Sequence, residues 1–166
     1  MAKIEMKNID EYAKSLSTLW RDQRKIIENA VYKGANVVAD EIKKGLQEIP
    51  IQEGENGLPP VGSADNKLIG VSRKQKADLI AGFGLSPMED KGDFINTKAG
   101  FDGYGSIKTK KYPKGTPNAM LMRSIESGTT FRKKRPTVRT AVNRVKKEAE
   151  TEMEKEIDKQ IKQRME

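Results

Sequence analysis

The sequence contains neither cysteine nor histidine. Without cysteine, the chain cannot form a disulfide or offer a thiol nucleophile. Without either residue, the usual zinc and transition-metal ligand sets cannot be built, and the commonest general base near neutral pH is missing. We therefore predict no metal site, no cofactor and no catalytic residue, and we do not expect an enzyme.

Apolar residues are also scarce. Of 166 residues, 35% are hydrophobic and 5% aromatic, whereas 34% are charged. The length favours a single domain over residues 1–166, and the composition predicts a small core in an elongated, helix-rich protein. No apolar run approaches the roughly 20 residues of a membrane-spanning helix, and residues 1–7 lack the apolar segment of a secretory signal. A soluble protein made in the cytoplasm is expected.

Positive charge is in excess. The formal net charge is +8 and the isoelectric point is about 9.5. Such a balance favours a polyanionic neighbour, either nucleic acid or an acidic protein surface. The alternative is an ordinary lysine-rich helical surface, since net charge alone does not identify a partner.

A long helical region is predicted before Pro50, with Asn8 or Asp10 capping its start. Apolar residues recur through it at spacings of three and four. Trp20 lies between two such stripes, so the pattern fits one bent helix or two. Gly34 interrupts the second stripe, which indicates close packing against another helix or a sheet.

Loops and one β-hairpin are predicted in the middle of the chain. Residues 51–66 are rich in glycine, proline and asparagine. We interpret them as a flexible arm that reaches a partner, or alternatively as a surface loop. A short helix over residues 73–78 precedes two strands, over residues 79–87 and 94–101, that form an antiparallel hairpin.

Glycine and lysine mark the hairpin and the segment after it. The strands contain glycines that indicate bulges or close packing of a helix on the sheet. These are Gly82, Gly84 and Gly100. Residues 102–115 form a second loop, which we call the basic loop. Its lysines are Lys108, Lys110, Lys111 and Lys114.

The C-terminal part is predicted to contain a short helix over residues 117–128 and a long, protruding helix over residues 137–164. Gly128 ends the first helix and Pro136 fixes the corner before the second, so both set the geometry of the turn. The first part of the long helix is basic, and the part after Lys147 is acidic. This order of charges is the reverse of the one that the helix dipole favours. Either these charges complement charges on a partner, or the C-terminal half of the helix is an exposed face with salt bridges along it.

Together these elements predict an α+β fold, in which a small antiparallel sheet packs against N-terminal helices and a long C-terminal helix. The acidic residues at the hairpin turn could hold a calcium ion only loosely, because they lack the ligand spacing of an EF-hand. A solvated turn is the favoured interpretation. These residues are Glu89, Asp90 and Asp93.

The most informative cluster is the basic elbow, which consists of Arg132, Lys133, Lys134 and Arg135. Four adjacent cations repel one another, so they must be solvated or neutralised. They could contact phosphates in a salt-sensitive manner, or dock onto the acidic rim of a partner protein. The third interpretation is a solvated surface loop.

Two short motifs beside the elbow, Glu126–Gly128 and Pro136–Ala141, resemble the minor tail component family of lambda-like long-tailed phages. The likeness in the order of parts extends over about residues 30–147. That family usually has an aromatic residue directly after the elbow proline, where this chain has Thr137. Phe131, upstream of the elbow, is a candidate replacement for the missing apolar anchor.

The resemblance implies a structural virion protein of the neck or tail end, made in the host cytoplasm, that acts in tail completion and head–tail joining. Its implied partners are identical subunits in a ring, adjoining connector, tail terminator or tail tube proteins, and packaged DNA through non-specific contact, with no membrane. The basic elbow and the acidic part of the last helix are candidate patches for ring closure. The alternative function is a small basic nucleic-acid-binding regulator or chaperone.

Overall fold

Two long helices form the frame of the molecule, and shorter elements pack at one end of them. The structure, a computed structural model, describes residues 9–165, whose helices are α1 (Ile9–Gln47), α2 (Arg73–Gly82), α3 (Asn118–Ser127) and α4 (Thr137–Met165). α1 continues unbroken through Trp20, at a length of about 58 Å. The cap predicted at Asn8 lies outside the described residues, and Asp10 lies inside α1. None of the helices in the described range has the length and apolar character needed to cross a membrane.

α4 runs antiparallel to α1. Met153 lies against Gly34, where an added Cβ would come within 2.6 Å of the methionine Cγ. Further along, Arg164 Nε donates a hydrogen bond of 3.2 Å to Asp22. The close packing predicted at Gly34 is therefore confirmed. The long helix predicted over residues 137–164 is present, but it lies beside α1 rather than protruding alone.

The hydrophobic core lies where the C-terminal half of α1 meets α2, α3 and the start of α4. Its buried members are Ala39, Ile42, Leu46, Ile49, Val71, Leu79, Phe83, Leu121, Met122, Ile125 and Ala141. Residues 9–30 of α1 and 149–165 of α4 continue away from this core, and we call them the two-helix arm. The arm buries fewer large side chains than the core does.

α2 is longer than predicted. Ser72 and Gln75 form a capping box at its start, in which the Gln75 N–H donates to the Ser72 hydroxyl at 3.2 Å. Continuing the helix beyond residue 78 places Leu79 in the core with no exposed surface. Residues 79–82, predicted as strand, are therefore the last turn of α2, and that part of the prediction was wrong.

The hairpin consists of two short antiparallel ladders. Its strands are β1 (Phe83–Leu85), β2 (Glu89–Asp90), β3 (Ile95–Asn96) and β4 (Ala99–Phe101). β1 pairs with β4, and β2 pairs with β3. Phe83 lies opposite Phe101, with ring centroids 5.2 Å apart. These small antiparallel ladders pack with the helices, which include the long C-terminal helix. The predicted α+β fold is therefore confirmed.

The three hairpin glycines have different surroundings. A Cβ at Gly82 would lie 2.4 Å from the carbonyl oxygen of Asp102, so this glycine permits close packing, as predicted. Gly84 and Gly100 lie opposite each other in regular register, with no atom within 4 Å of either Cβ position. At these two positions the prediction of a bulge or close packing was wrong, because this face of the hairpin is open.

An ion pair joins the two long helices at the edge of the core. Arg144 Nη1 donates to Glu41 Oε1 at 2.6 Å, and the Glu41 residue is buried. The hydrogen bond from Arg144, with a smaller contribution from Lys44, holds the pKa of Glu41 below its ordinary value. A carboxyl group whose pKa is lowered by folding stabilises the fold only while it is ionised.

We expect Glu41→Gln to make thermal unfolding less sensitive to acid. The contribution of Glu41 is fully present above the unfolded-state pKa, about 4.3, and is lost as the pH falls through the lower native pKa. The measurement is Tm between pH 7 and pH 3 for the wild type, Glu41→Gln and the exposed control Glu154→Gln. If the Glu41→Gln and wild-type curves fall in parallel over this range, the assignment is incorrect.

Candidate functional site

Gly128 controls the turn between α3 and α4. Its φ of 73° and ψ of 169° lie in a region that side chains rarely adopt. A Cβ at this position would lie 2.9 Å from the backbone nitrogen of Lys134. Thr129 and Arg132 then exchange backbone hydrogen bonds of 2.9 and 3.3 Å, which close the turn. Glycine is thus required by the path of the chain, as the sequence indicated.

Glu126 caps the N-terminus of α4 from a different helix. Its two carboxylate oxygens accept hydrogen bonds from the backbone N–H groups of Val138, at 2.9 Å, and Arg139, at 3.0 Å. An anion at a helix N-terminus satisfies free N–H groups and complements the helix dipole. The basic start of α4 therefore has its counter-charge within the chain. The sequence showed Glu126 two residues before Gly128, but it did not show that Glu126 caps α4.

Thr137 occupies the place after the elbow proline. It is buried, with its methyl group against Gly45 of α1. An added Cβ at Gly45 would already approach that methyl group to 2.9 Å, so the two helices leave little room here. Phe131 is 47% exposed and does not serve as a buried replacement anchor. Close contact between small residues takes the place of the expected aromatic packing.

The four cations of the basic elbow separate into two structural arginines and two free lysines. Arg132 is 5% exposed, and its guanidinium donates to the carbonyl oxygen of Gly70. Burial lowers the pKa of Arg132. Arg135 donates to the carbonyl oxygen of Glu48 at 3.1 Å, near the C-terminus of α1. Only Lys133 and Lys134 point to solvent, so the elbow offers a partner two cations rather than four.

The basic loop is closed at its base by Asn118. This buried side chain donates to the carbonyl oxygens of Asp102, at 2.8 Å, and Asp78, at 3.2 Å. Asp78 also accepts two hydrogen bonds from Ser106, so α2 and α3 together hold the loop. The four lysines of the loop are exposed. Sequence reasoning missed Asn118, because an asparagine at a helix start is ordinarily a local cap.

Residues 51–66 are tied to the body at both ends. The Gln52 side-chain oxygen accepts hydrogen bonds from the N–H groups of Ile69, at 2.8 Å, and Gly70, at 3.0 Å. At the other end, Gly62 packs against the Phe131 backbone. The tip between these anchors exposes Val61, whose exposed fraction is 95%. The segment thus presents an anchored loop with an apolar tip.

Two of the acidic residues at the hairpin turn, Glu89 and Asp90, have charged partners within the chain. Lys98 and Lys91 lie 3.2 and 3.5 Å from Glu89, and Arg24 lies 2.6 Å from Asp90. The Lys98 hydrogen bond lowers the pKa of Glu89. The described residues include no group of three or more acidic side chains that could hold a metal ion. The pairs instead fasten the turn to itself and to α1.

The two-helix arm carries an apolar cleft that sequence reasoning did not identify. The cleft has a volume of about 230 Å³ and is lined by Leu19, Trp20, Gln23, Ile26, Ile27 and Ile161. Trp20 is 71% exposed. A neighbouring cleft of mixed polarity, which shares Gln23 and Ile27, is lined at the hairpin turn by Phe94 and by the charged residues Arg24 and Asp93. We call this continuous surface the Trp20 groove. The available signal was the position of Trp20 between the two apolar stripes.

Comparison with protein-family models, with curated proteins and with solved structures found no match.

We expect Gly128→Ala to lower the free energy of unfolding by about 1–3 kcal/mol, because the alanine must adopt a strained backbone conformation. Chemical denaturation followed by circular dichroism measures the change. Gly84→Ala is the matched control, since open space surrounds that position, and it should be neutral or stabilising by up to about 1 kcal/mol. Equal destabilisation by both substitutions would refute the role assigned to Gly128.

Proposed function

We propose that this chain is a structural virion protein of a phage neck or tail end, which acts in tail completion and head–tail joining as a ring-forming subunit. The observation that carries the proposal is the Trp20 groove. A largely exposed tryptophan in an apolar cleft is typical of a surface that another protein covers. The phage assignment itself comes from the resemblance around Glu126–Gly128 and Pro136–Ala141.

The local geometry of those two motifs supports the assignment. Glu126 caps α4, Gly128 permits the turn, and Ala141 is buried in the core. The motifs therefore join α3 to α4 at a defined angle and leave the outer surfaces free to vary. Such a joint is expected of a scaffold whose task is to present interfaces rather than to bind a small molecule.

The distribution of buried side chains supports assembly as well. The core occupies one end of the molecule, whereas the two-helix arm exposes Ile9, Tyr12, Trp20 and Ile27. Apolar side chains on an arm of this kind gain most when a neighbouring subunit removes them from water. In the virion, those neighbours would be identical copies and the adjoining connector, terminator or tail tube proteins.

A second function, binding of nucleic acid as a small basic regulator or chaperone, is favoured by the exposed lysines of the basic loop and by Lys133 and Lys134. Binding through these residues would depend on phosphate contacts and would weaken steeply with salt. Two measurements separate the two functions. A DNA titration at two salt concentrations reports the affinity for DNA, and sedimentation over a dilution series reports the oligomeric state. Strong, salt-sensitive binding by a monomer would favour this second function.

The direct test of the proposed function is electron microscopy of particles produced without this protein. We expect separate heads and tails, with joining restored when the protein is supplied again. Particles that join normally in its absence would overturn the proposal.

We expect Trp20→Lys to reduce joining at least tenfold, because a charge in the groove opposes burial against a partner. The substitution should change Tm little, since the side chain is already exposed. Tyr32→Lys is the control, because Tyr32 is an exposed aromatic residue of α1 outside the groove. The yield of joined particles measures the effect. Equal yields from both variants would show that the groove takes no part in joining.

A further inference from the structure

The positive charge of the chain is concentrated in residues 103–147. This segment carries 13 of the 32 lysines and arginines but only one of the 24 acidic residues, Glu126. Its formal charge is therefore +12, whereas the rest of the chain carries −4. In the structure the segment forms the basic loop, α3, the basic elbow and the first part of α4. One continuous part of the fold thus holds the whole positive excess.

Most of these cations have no counter-charge within the chain. Arg132 and Arg135 donate to carbonyl oxygens, and Arg144 pairs with a carboxylate of α1. Glu126 is itself engaged, because it caps α4. The other ten cations are exposed, and none of them forms a salt bridge within the described residues; we call them the basic face. They are Lys108, Lys110, Lys111, Lys114, Arg123, Lys133, Lys134, Arg139, Lys146 and Lys147.

Contacts along α3 connect the basic loop to the start of α4. The Tyr112 hydroxyl of the basic loop donates to the Met120 sulfur at 3.3 Å. Arg123 follows Met120 by three residues and therefore lies on the same side of α3. At the other end of α3, Glu126 accepts a hydrogen bond from the backbone N–H of Arg139. The cations of the loop and of both helices thus belong to one connected region.

The start of α4 adds a short polar stripe to this region. Arg139, Asn143 and Lys146 are spaced four and three residues apart and are all exposed, so they share the solvent-facing side of the helix. Lys147 is exposed beside them. The stripe ends at Glu150, four residues after Lys146, where the acidic part of α4 has begun.

Carboxylates of other segments that contact this region are themselves hydrogen-bonded. Asp78 accepts from the N–H and hydroxyl groups of Ser106, and Asp102 accepts from the N–H of Gly103 at 2.7 Å. Glu41 is the partner of Arg144, which is not part of the basic face. These acids hold the loop and the helices in place and leave the ten exposed cations without a partner among the described residues.

A second copy of the chain cannot neutralise the basic face. Outside residues 103–147 each copy offers a net charge of only −4 against +12, so every added copy still brings a net charge of +8. Eight of the ten cations are lysines, which are depleted in protein interfaces but commonly bind phosphate as point charges. Duplex DNA carries one negative charge per about 1.7 Å of its axis. It therefore matches the basic face better than an acidic protein does.

We propose that the basic face binds the phosphate backbone of double-stranded DNA without reading its sequence. Phosphate contacts carry no sequence information, because every nucleotide presents the same group. Arg123, Arg139, Lys146 and Lys147 extend the binding surface from the basic loop and the elbow onto α3 and α4. The inference goes beyond the proposed function, since a virion subunit and a regulator would use this surface alike.

The test is a titration of the full-length chain with a short DNA duplex over a range of salt concentrations. Each phosphate contact adds about 0.9 to the slope of log affinity against log salt concentration. When the four cations of α3 and α4 are neutralised together, we expect this slope to shrink by about 2 to 4. The affinity at roughly 0.1 M salt should fall at least about tenfold. The variant combines Arg123→Gln, Arg139→Gln, Lys146→Gln and Lys147→Gln.

The matched control removes four exposed lysines of α1 and of the end of α4, away from the basic face. It lowers the net charge by the same amount, but it should keep the slope and change the affinity by less than about threefold. Circular dichroism and Tm establish that both variants fold. The control combines Lys25→Gln, Lys33→Gln, Lys159→Gln and Lys162→Gln.

Equal losses in the two variants, or an unchanged slope in the α3 and α4 variant, would overturn the proposal. Polyglutamate of matched charge should compete more weakly than the duplex, and equal competition would assign the surface to an acidic protein instead. A single strand of the same length should also bind more weakly, and tighter binding would reject the duplex. Two duplexes of unrelated sequence should bind within about threefold of each other, and a larger difference would contradict contact with the backbone alone.

This inference and the proposed function fail in different ways. The inference fails when salt-sensitive binding to the duplex does not depend on the basic face, whatever the particles do. The proposed function fails when heads and tails join normally without the protein, whatever the affinity for DNA.

Discussion

The antiparallel contact between α1 and α4 is the interaction on which the rest of the structure depends. It requires small residues at two positions of close approach, Gly34, which lies against Met153, and Gly45, which lies against Thr137. Because the start of α4 is thereby held at the C-terminal end of α1, the chain before it must turn sharply. That turn brings α3 and the basic elbow to the end of the molecule where residues 51–66 follow α1.

The turn is stabilised by groups that would be unfavourable elsewhere. A run of four cations repels itself, but Arg132 and Arg135 donate hydrogen bonds to the carbonyl oxygens of Gly70 and Glu48, which replace part of their hydration. Glu126 supplies the negative charge that the basic first turn of α4 lacks. Much of the charge in this region is therefore engaged in contacts within the chain. Within the basic elbow, Lys133 and Lys134 stay exposed to a partner, as do the lysines of the basic loop.

Features set by local patterns could be predicted from the sequence, and features set by distant contacts could not. Gly34 was recognised because it interrupts a helical stripe, and Gly128 because it ends a helix before a turn. Leu79 was assigned to a strand because apolar runs of this length do not distinguish strand from buried helix. The role of Glu126 and the internal position of Arg132 depend on partners far away in the chain. The Trp20 groove escaped notice for the same reason, since Phe94 and Ile161 complete it from other elements.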